Sequence, residues 1–197
     1  MYALVRALSH LYLALRHGIS SSGSEDVPSQ GPVILVSNHV NAKDPLALAV
    51  SCRRPLYFMA KAELFRTPIL AWFFRSVNAF PVERGAIDRD AYRRSMEILS
   101  EGKVLAIFPE GTRNASGRLL KPHPGAARFS LLTGAKVVPA SVVGTNSKRD
   151  RIRVTFGAPI DPKEFCQGRK LSKEITESFA DTIMAAVDAL MQSTGAE

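Results

Sequence analysis

The chain has 197 residues, 46% of them hydrophobic, and a formal net charge of +8. That size suits one domain around one substantial core, and no internal repeat indicates a second. A basic balance favours an anionic partner, which can be nucleic acid, an acidic membrane face or a phosphate-bearing substrate. Aromatic residues make up an ordinary 8%, with no helix-turn-helix or RNA-binding pattern, so the sequence argues against nucleic acid.

The cysteines and histidines do not form a metal-binding pattern. Cys52 and Cys166 lack metal-type spacing and are too few for a disulfide framework. We interpret them as reduced thiols in a protein that faces the cytosol, with a single bridge as the alternative. The four histidines are not at ligand spacing from a cysteine or from one another, so we predict no metal site.

The first element is a predicted amphipathic helix over residues 1–19. Its apolar stripe consists of Leu4, Leu8, Leu11 and Leu15. The segment is too short and too charged to span a membrane, and no signal-peptide cleavage site follows it. The helix either lies in a membrane interface or packs on the core. We assign residues 1–22 to an N-terminal membrane-interface helix, residues 21–26 to a short linker region, and residues 23–197 to the main domain.

A second bulky segment covers residues 63–80, with Trp72 and Phe73 close to Arg75. Aromatic residues beside a basic residue are typical of a membrane interface. A buried helix that begins at Pro68 explains the same residues. Two such segments in one small basic chain favour the membrane interpretation.

Short apolar, β-branched runs alternate with helical patterns along the main domain. The runs cover residues 33–37, 57–61, 78–83, 104–108, 137–143 and 151–156. The clearest helix is at 88–101, where Asp88 can cap the start and Gly102 can end it, and the tail from 171 to 192 is also helical. This alternation predicts a single α/β domain with a mostly parallel mixed sheet flanked by helices.

Polar side chains follow three of the predicted strands. Asn38 and His39 follow the first, Glu83 and Arg84 end the third, and residues 110–113 follow the fourth. Ligands of open α/β sheets bind beyond the carboxyl ends of strands. Strands that run the same way would bring these three groups together.

His39 and Asp44 are candidates for a base and its partner. A carboxylate on one ring nitrogen of a histidine lets the other nitrogen accept a proton from a hydroxyl. Five residues across a strand-to-helix turn allow that contact. A purely structural hydrogen bond is the alternative for His39, and Asp44, which precedes Pro45, also fits a helix N-cap.

The segment Phe108-Pro-Glu-Gly-Thr-Arg113 predicts a tight turn at Gly111 that carries an acid, a hydroxyl and a guanidinium. Arg113 or Arg84 can bind a phosphate through two hydrogen bonds, and the turn can add others. A surface turn with an ion pair between Glu110 and Arg113 is the alternative.

Together these segments resemble the family of lysophosphatidic acid and glycerol-3-phosphate acyltransferases. The resemblance runs from about Gly31 to Gly144 through four ordered blocks. They are Asn38-His39-x4-Asp44, Phe80-Pro-Val-Glu-Arg84-Gly85, Phe108-Pro-Glu-Gly-Thr-Arg113 and Val138-Pro139-Ala-Ser-Val-Val-Gly144. One departure is Lys121-Pro-His-Pro-Gly125, where family members often have Phe-Lys-Pro-Gly, and we treat His123 as non-catalytic.

The resemblance implies direct acyl transfer, in which His39 deprotonates the acceptor hydroxyl and Asp44 orients the imidazole. It implies a substrate-binding role for Arg84, Glu110, Gly111, Thr112 and Arg113, with Pro139 shaping a nearby pocket. The absence of a Gly-x-Ser-x-Gly elbow agrees with a route that has no acyl-enzyme.

The implied reaction moves a fatty acyl group from acyl-CoA or acyl-ACP to the sn-2 hydroxyl of lysophosphatidic acid. The product is phosphatidic acid, an intermediate of phospholipid biosynthesis. The acceptor can instead be another lysophospholipid, glycerol-3-phosphate or an amino-acid lipid. Alternatives from other classes are a non-catalytic binder of anionic lipid and a thioesterase.

We expect a peripheral protein on the cytoplasmic face of the cell membrane, bound to anionic phospholipid. No cofactor is expected apart from the acyl-CoA or acyl carrier protein co-substrate. A basic stretch of Lys148, Arg149, Arg151 and Arg153 either binds that acidic donor or is a solvated edge.

Overall fold

The computed structural model describes residues 1–83, 88–116, 118–147 and 150–195. The strands in these residues are β1 (Ile19–Ser22), β2 (Val33–Ser37), β3 (Leu56–Lys61), β4 (Ala79–Val82), β5 (Val104–Ile107), β6 (Lys136–Val143) and β7 (Ile152–Phe156). The α-helices are α1 (Tyr2–Arg16), α2 (Asp44–Ser51), α3 (Pro68–Ser76), α4 (Arg89–Ser100), α5 (Gly125–Thr133), α6 (Pro162–Cys166) and α7 (Lys173–Gly195). A short 3-10 helix covers Ala62–Phe65.

The described strands form one sheet in the order β1-β7-β6-β2-β5-β3-β4. Neighbours from β6 to β4 pair in parallel, β7 is antiparallel to β6, and β1 is parallel to β7. The predicted mostly parallel mixed sheet in one α/β domain is therefore confirmed. Strand β2 is buried along its whole length, as a central strand covered on both faces should be.

Helices cover both faces of the sheet, and β2 contributes to both cores. Leu35 belongs to the core shared with α1 and α2, while Ile34 belongs to the core shared with α4, α5 and α7. Right-handed crossovers account for this division. The connections through α2 and α3 run along the sheet from β2 towards β4, and those through α4 and α5 run in the opposite direction, from β4 towards β6. The two pairs of helices therefore lie on opposite faces. Helices α2 and α3 therefore share one face, and α1 packs on α2.

Helix α1 both packs on the core and exposes apolar residues. Leu13 is fully buried, and the Arg6 guanidinium donates to the carbonyls of Ala49 and Cys52 at the end of α2. The predicted apolar stripe faces outward instead: Leu4, Leu8, Leu11 and Leu15 are all exposed, the last by 80%. The stripe is therefore available for contact with another surface.

The chain enters the sheet within the segment assigned to the N-terminal element. Residues 19–22 form β1, which pairs with β7. The predicted linker at 21–26 thus begins inside an edge strand. Three serines follow Ile19, so this strand lacks the apolar alternation that would predict it, and its pairing with β7 determines its conformation.

Helix α3 begins at Pro68 as predicted, with the Thr67 hydroxyl accepting from the helix backbone. Ala71 is its buried residue, whereas Ile69 and Trp72 are 79% and 61% exposed. The alternative of a buried helix is therefore wrong for Ile69 and Trp72. No helix among the described residues is long and apolar enough to cross a membrane.

Candidate active site

The carboxyl ends of β2, β5 and β6 meet at one edge of the sheet. His39 follows β2 and accepts at its carbonyl from the N–H of Asn114, in the segment after β5, at 2.7 Å. The Thr145 hydroxyl, beyond β6, donates to Asp44 at 2.6 Å. Because β2 and β5 are parallel, the predicted convergence of the groups that follow these two strands is observed, and the end of β6 joins them. Arg84 of the third predicted group lies outside the described residues.

His39 and Asp44 form a hydrogen-bonded pair with 2.8 Å between His39 Nδ1 and Asp44 Oδ2. Asp44 is fully buried, and the His39 side chain is 13% exposed. Asp44 also accepts from the N–H groups of Val40 and Asn41, both at 2.7 Å. A carboxylate that only accepts requires Nδ1 to donate, so Nε2 of a neutral ring is the proton acceptor.

The predicted N-cap role of the Asp44 carboxylate is wrong. Asp44 is the first residue of α2, and Lys43 occupies the N-cap position without a side-chain cap. The carboxylate points back into the preceding loop, where it binds the amides at positions 40 and 41. It thus holds the loop that carries the histidine.

The side-chain amide of Asn38, directly before His39, binds the backbone of β6. Its Nδ2 donates to the carbonyl of Val142, and its Oδ1 accepts from the N–H of Val142, both at 2.9 Å. The side chain thus mimics one more residue pair between β2 and β6, beyond Ser37 and Ala140. It fixes the point at which the chain leaves the sheet for His39.

An aromatic residue covers the His39 ring. Phe108 stacks on the imidazole at 4.2 Å between ring centroids, and Phe58 stacks behind Phe108 at 6.4 Å. Together with the bond to Asp44, this stack fixes the plane of the imidazole.

Glu110 is a buried part of the scaffold. It is 5% exposed, its Oε1 accepts from the N–H of His39 at 3.3 Å, and its Oε2 accepts from Asn114 Nδ2 and the N–H of Leu120. Glu110 and Arg113 both belong to the described part of the chain and form no ion pair there. The alternative of a surface turn with a Glu110–Arg113 ion pair is therefore wrong. These three contacts give the carboxylate a role in joining the two loops, and its substrate-binding role stays a prediction.

Gly111 makes the turn after Glu110, with a φ of +66°. The left-handed backbone conformation favours glycine, whereas the ring of the exposed His123, 2.9 Å from the site of a Cβ, can move aside. Thr112 and Arg113 follow and are exposed, one residue before the Asn114 N–H that binds the His39 carbonyl. A donor site for an anion is therefore available close to His39.

The remaining predicted residues divide into two groups. Arg84, like Lys148 and Arg149, lies outside the described residues. Pro139 is buried in the body of β6, paired with Val36, and its ring packs against Gly157. Its role in shaping a pocket stays a prediction. Arg153 donates to the carbonyl of Thr194, so this part of the proposed basic edge is used internally.

Two further residues at this edge were not predicted. Thr145 binds Asp44, and its position directly after the fourth block and β6 is the signal that points to it. Lys61 ends β3 at the same edge, is half-exposed, and pairs with Glu63 at 2.8 Å. Both follow the rule that side chains beyond parallel strands converge.

Comparisons with known proteins identify relatives that are named acyltransferases. A sequence model of the acyltransferase family matches residues 18–143. A Bacillus subtilis protein named 1-acyl-sn-glycerol-3-phosphate acyltransferase is 28% identical over 84% of this chain and 85% of its own length. A Borreliella burgdorferi protein of the same name is 31% identical over 64% of this chain, which spans about half (51%) of that protein.

The fold also matches a solved structure. The crystal structure of the 1-acyl-sn-glycerophosphate (LPA) acyltransferase from Thermotoga maritima superimposes with a TM-score of 0.80, covering 100% of this chain and 80% of that one. The sequence identity is 22%, so this likeness concerns the fold. The match over residues 18–143 confirms what the four blocks predicted: the chain belongs to the acyltransferase family.

Proposed function

We propose that the protein transfers a fatty acyl group from a thioester to the sn-2 hydroxyl of lysophosphatidic acid, forming phosphatidic acid. The 2.8 Å bond between His39 and Asp44 is the observation that carries this proposal, because it leaves Nε2 as a base at the open edge of the sheet. The names of the two bacterial relatives support the choice of acceptor.

In this mechanism Nε2 of His39 removes the proton from the acceptor hydroxyl as its oxygen attacks the thioester carbonyl. The carbon–sulfur bond then breaks, and the imidazolium returns the proton to the leaving thiolate. Asp44 stabilises the imidazolium and keeps Nδ1 as the donor. No acyl-enzyme forms, and His39 ends the cycle neutral.

The acceptor phosphate would bind to exposed hydrogen-bond donors near His39. Arg113 and Thr112 are the described candidates, with Gly111 making the turn that presents them. Arg84 remains part of the proposed phosphate site on the strength of the second sequence block. A phosphate held there would place the hydroxyl near Nε2, and such positioning contributes much of the rate of a two-substrate reaction.

We further propose that the enzyme works on the surface of a membrane that contains anionic phospholipid. The exposed stripe of α1 and the exposed face of α3 lie over the same face of the sheet, and the chain carries a net charge of +8. Apolar side chains would enter the interface while basic residues meet lipid phosphates. The cytoplasmic face of the cell membrane, where acyl-CoA or acyl-ACP is present, is the proposed location.

The proposal is tested by thiol release from palmitoyl-coenzyme A with and without lysophosphatidic acid, for the wild type and His39→Ala. Release that requires the lysolipid and falls by at least about 100-fold in the variant supports acyl transfer by a general base. Release without acceptor indicates a thioesterase. Activity with glycerol-3-phosphate or another lysophospholipid alone changes the acceptor, and liposome binding without turnover on acyl-CoA or acyl-ACP indicates a lipid-binding protein.

A further inference from the structure

Asp44 is held from two sides of the molecule. Oδ2 accepts from His39 and from the loop amides of Val40 and Asn41. Oδ1 accepts from the Thr145 hydroxyl at 2.6 Å, across 101 positions of sequence. Within the part of the chain that the structure describes, Thr145 is the one donor to Oδ1.

Both partners of this bond are fully buried. Water therefore does not replace the hydroxyl if it is removed, and Oδ1 would have no donor. A carboxylate rotates freely about its last side-chain bond unless both oxygens are held, because that torsion has a broad energy profile. The Thr145 hydroxyl thus fixes the plane in which Oδ2 meets Nδ1 of His39.

The position of Thr145 is itself set by the sheet. It follows Gly144 at the end of β6, where a Cβ would lie 2.1 Å from the carbonyl oxygen of Arg151 and φ is +88°. Val142, three residues before Thr145, is held by the Asn38 side chain. The hydroxyl therefore approaches Asp44 from a turn at the end of β6, which the Asn38 side chain ties to the start of the loop that carries His39.

We propose that Thr145 is a positioning residue for acyl transfer, holding the Asp44 carboxylate in the orientation that directs and charges His39. The proposal rests on the proposed function of the His39–Asp44 pair. It extends the site beyond the fourth sequence block, which ends at Gly144.

The test compares Thr145→Val, which keeps the shape and removes the hydroxyl, with Thr145→Ser, which keeps the hydroxyl. The control is Thr176→Val, since Thr176 is also buried and its hydroxyl donates to the carbonyl of Ser172, just before α7. We expect Thr145→Val to lower kcat by between about 10-fold and 100-fold with little change in either KM, because the base is misplaced. Thr145→Ser should recover most of the rate, and the control should match the wild type.

A second readout does not depend on the substrate. The proton on Nδ1 of His39, observed by NMR of the full chain, should be a downfield resonance in the wild type and Thr145→Ser. It should shift or broaden in Thr145→Val. In an Asp44→Asn background, Thr145→Val should cause no further loss of rate, because the two residues act as one unit.

Each failure has a different meaning. An inactive wild type with the expected NMR changes would reject the proposed reaction and retain the contact between Thr145 and the pair. A Thr145→Val variant with wild-type kcat and an unchanged Nδ1 proton would overturn the positioning role. Equal losses in the Val and Ser variants would assign the effect to packing and would also overturn it.

Discussion

Glu110 and His39 are joined by a hydrogen bond from the backbone N–H of His39 to Oε1 of the buried Glu110 carboxylate, at 3.3 Å. The other oxygen accepts from Asn114 and Leu120. The acid of the third block therefore connects the loop that carries the base to the loop that presents Thr112 and Arg113. We interpret it as the residue that sets the distance between His39 and the proposed phosphate site.

Substitution Glu110→Gln tests this interpretation. The amide accepts at one oxygen only and turns its NH₂ towards existing donors, so the free energy of unfolding should fall by about 1–3 kcal/mol. The loss of alignment should lower kcat about 10-fold or more. Steady-state kinetics and denaturant unfolding measure the two effects, with Glu101→Gln as an exposed control. A raised acceptor KM at unchanged kcat would return Glu110 to a direct substrate contact.

Arg113→Ala should act on binding instead. If its exposed guanidinium binds the acceptor phosphate as proposed, removing it should raise the KM for lysophosphatidic acid about 10-fold, as expected for one charge-assisted pair. The KM for the acyl donor should change little. Arg128→Ala removes an exposed charge from α5 and is the control. Equal changes for the two arginines would indicate a general effect of net charge.

The sequence predicted the elements that depend on local pattern. Strand β2 was predicted with its observed bounds, because burial on both faces produces a continuous apolar run at Val33–Ser37. Helix α4 begins after Asp88, whose carboxylate accepts from Ala91, and a left-handed Gly102 lies beyond its end. These signals are contained in a few neighbouring residues.

What the sequence did not predict depends on contacts that the side-chain pattern of a motif does not specify. Strand β1 exists because β7 lies beside it. The Asp44 side chain turns away from its own helix because the preceding loop presents two amides to it. Glu110 is buried because the chain returns at Leu120 to cover it. Strand β7 and Leu120 lie outside the motifs, and the amides of Val40 and Asn41 belong to positions whose side chains the first block leaves unspecified.

The membrane surface is tested by a Leu8→Ser/Trp72→Ser double variant. Both side chains are exposed, so the free energy of unfolding should change little, while association with vesicles that contain anionic lipid should fall about 10-fold or more. Leu132→Ser in α5, on the other face of the sheet, is the matched control. Deleting residues 1–19 is a poorer test, since Leu13 belongs to the core. Vesicle binding equal to that of the wild type would assign these residues to another contact.

His17 gives the protein a pH dependence of stability near neutral pH. It lies at the end of α1, with Nε2 3.2 Å from Nζ of Lys43, which precedes Asp44. Burial of the imidazole, then the charges of Lys43 and Arg16, lower the pKa of His17 from its ordinary value of 6.5. The unfolded chain therefore binds a proton that the folded chain does not. Stability is full above pH 6.5 and falls as the pH decreases towards the lowered pKa.

Substitution His17→Gln isolates this effect, because glutamine retains an acceptor for Lys43 and does not titrate. Thermal unfolding of both proteins between about pH 7.5 and pH 5.5 is the measurement. The wild type should lose more stability over this range than the variant, since the other three histidines are common to both. Parallel curves would mean that His17 takes up its proton equally in both states. A steeper loss in His17→Gln would reverse the sign and contradict the lowered pKa.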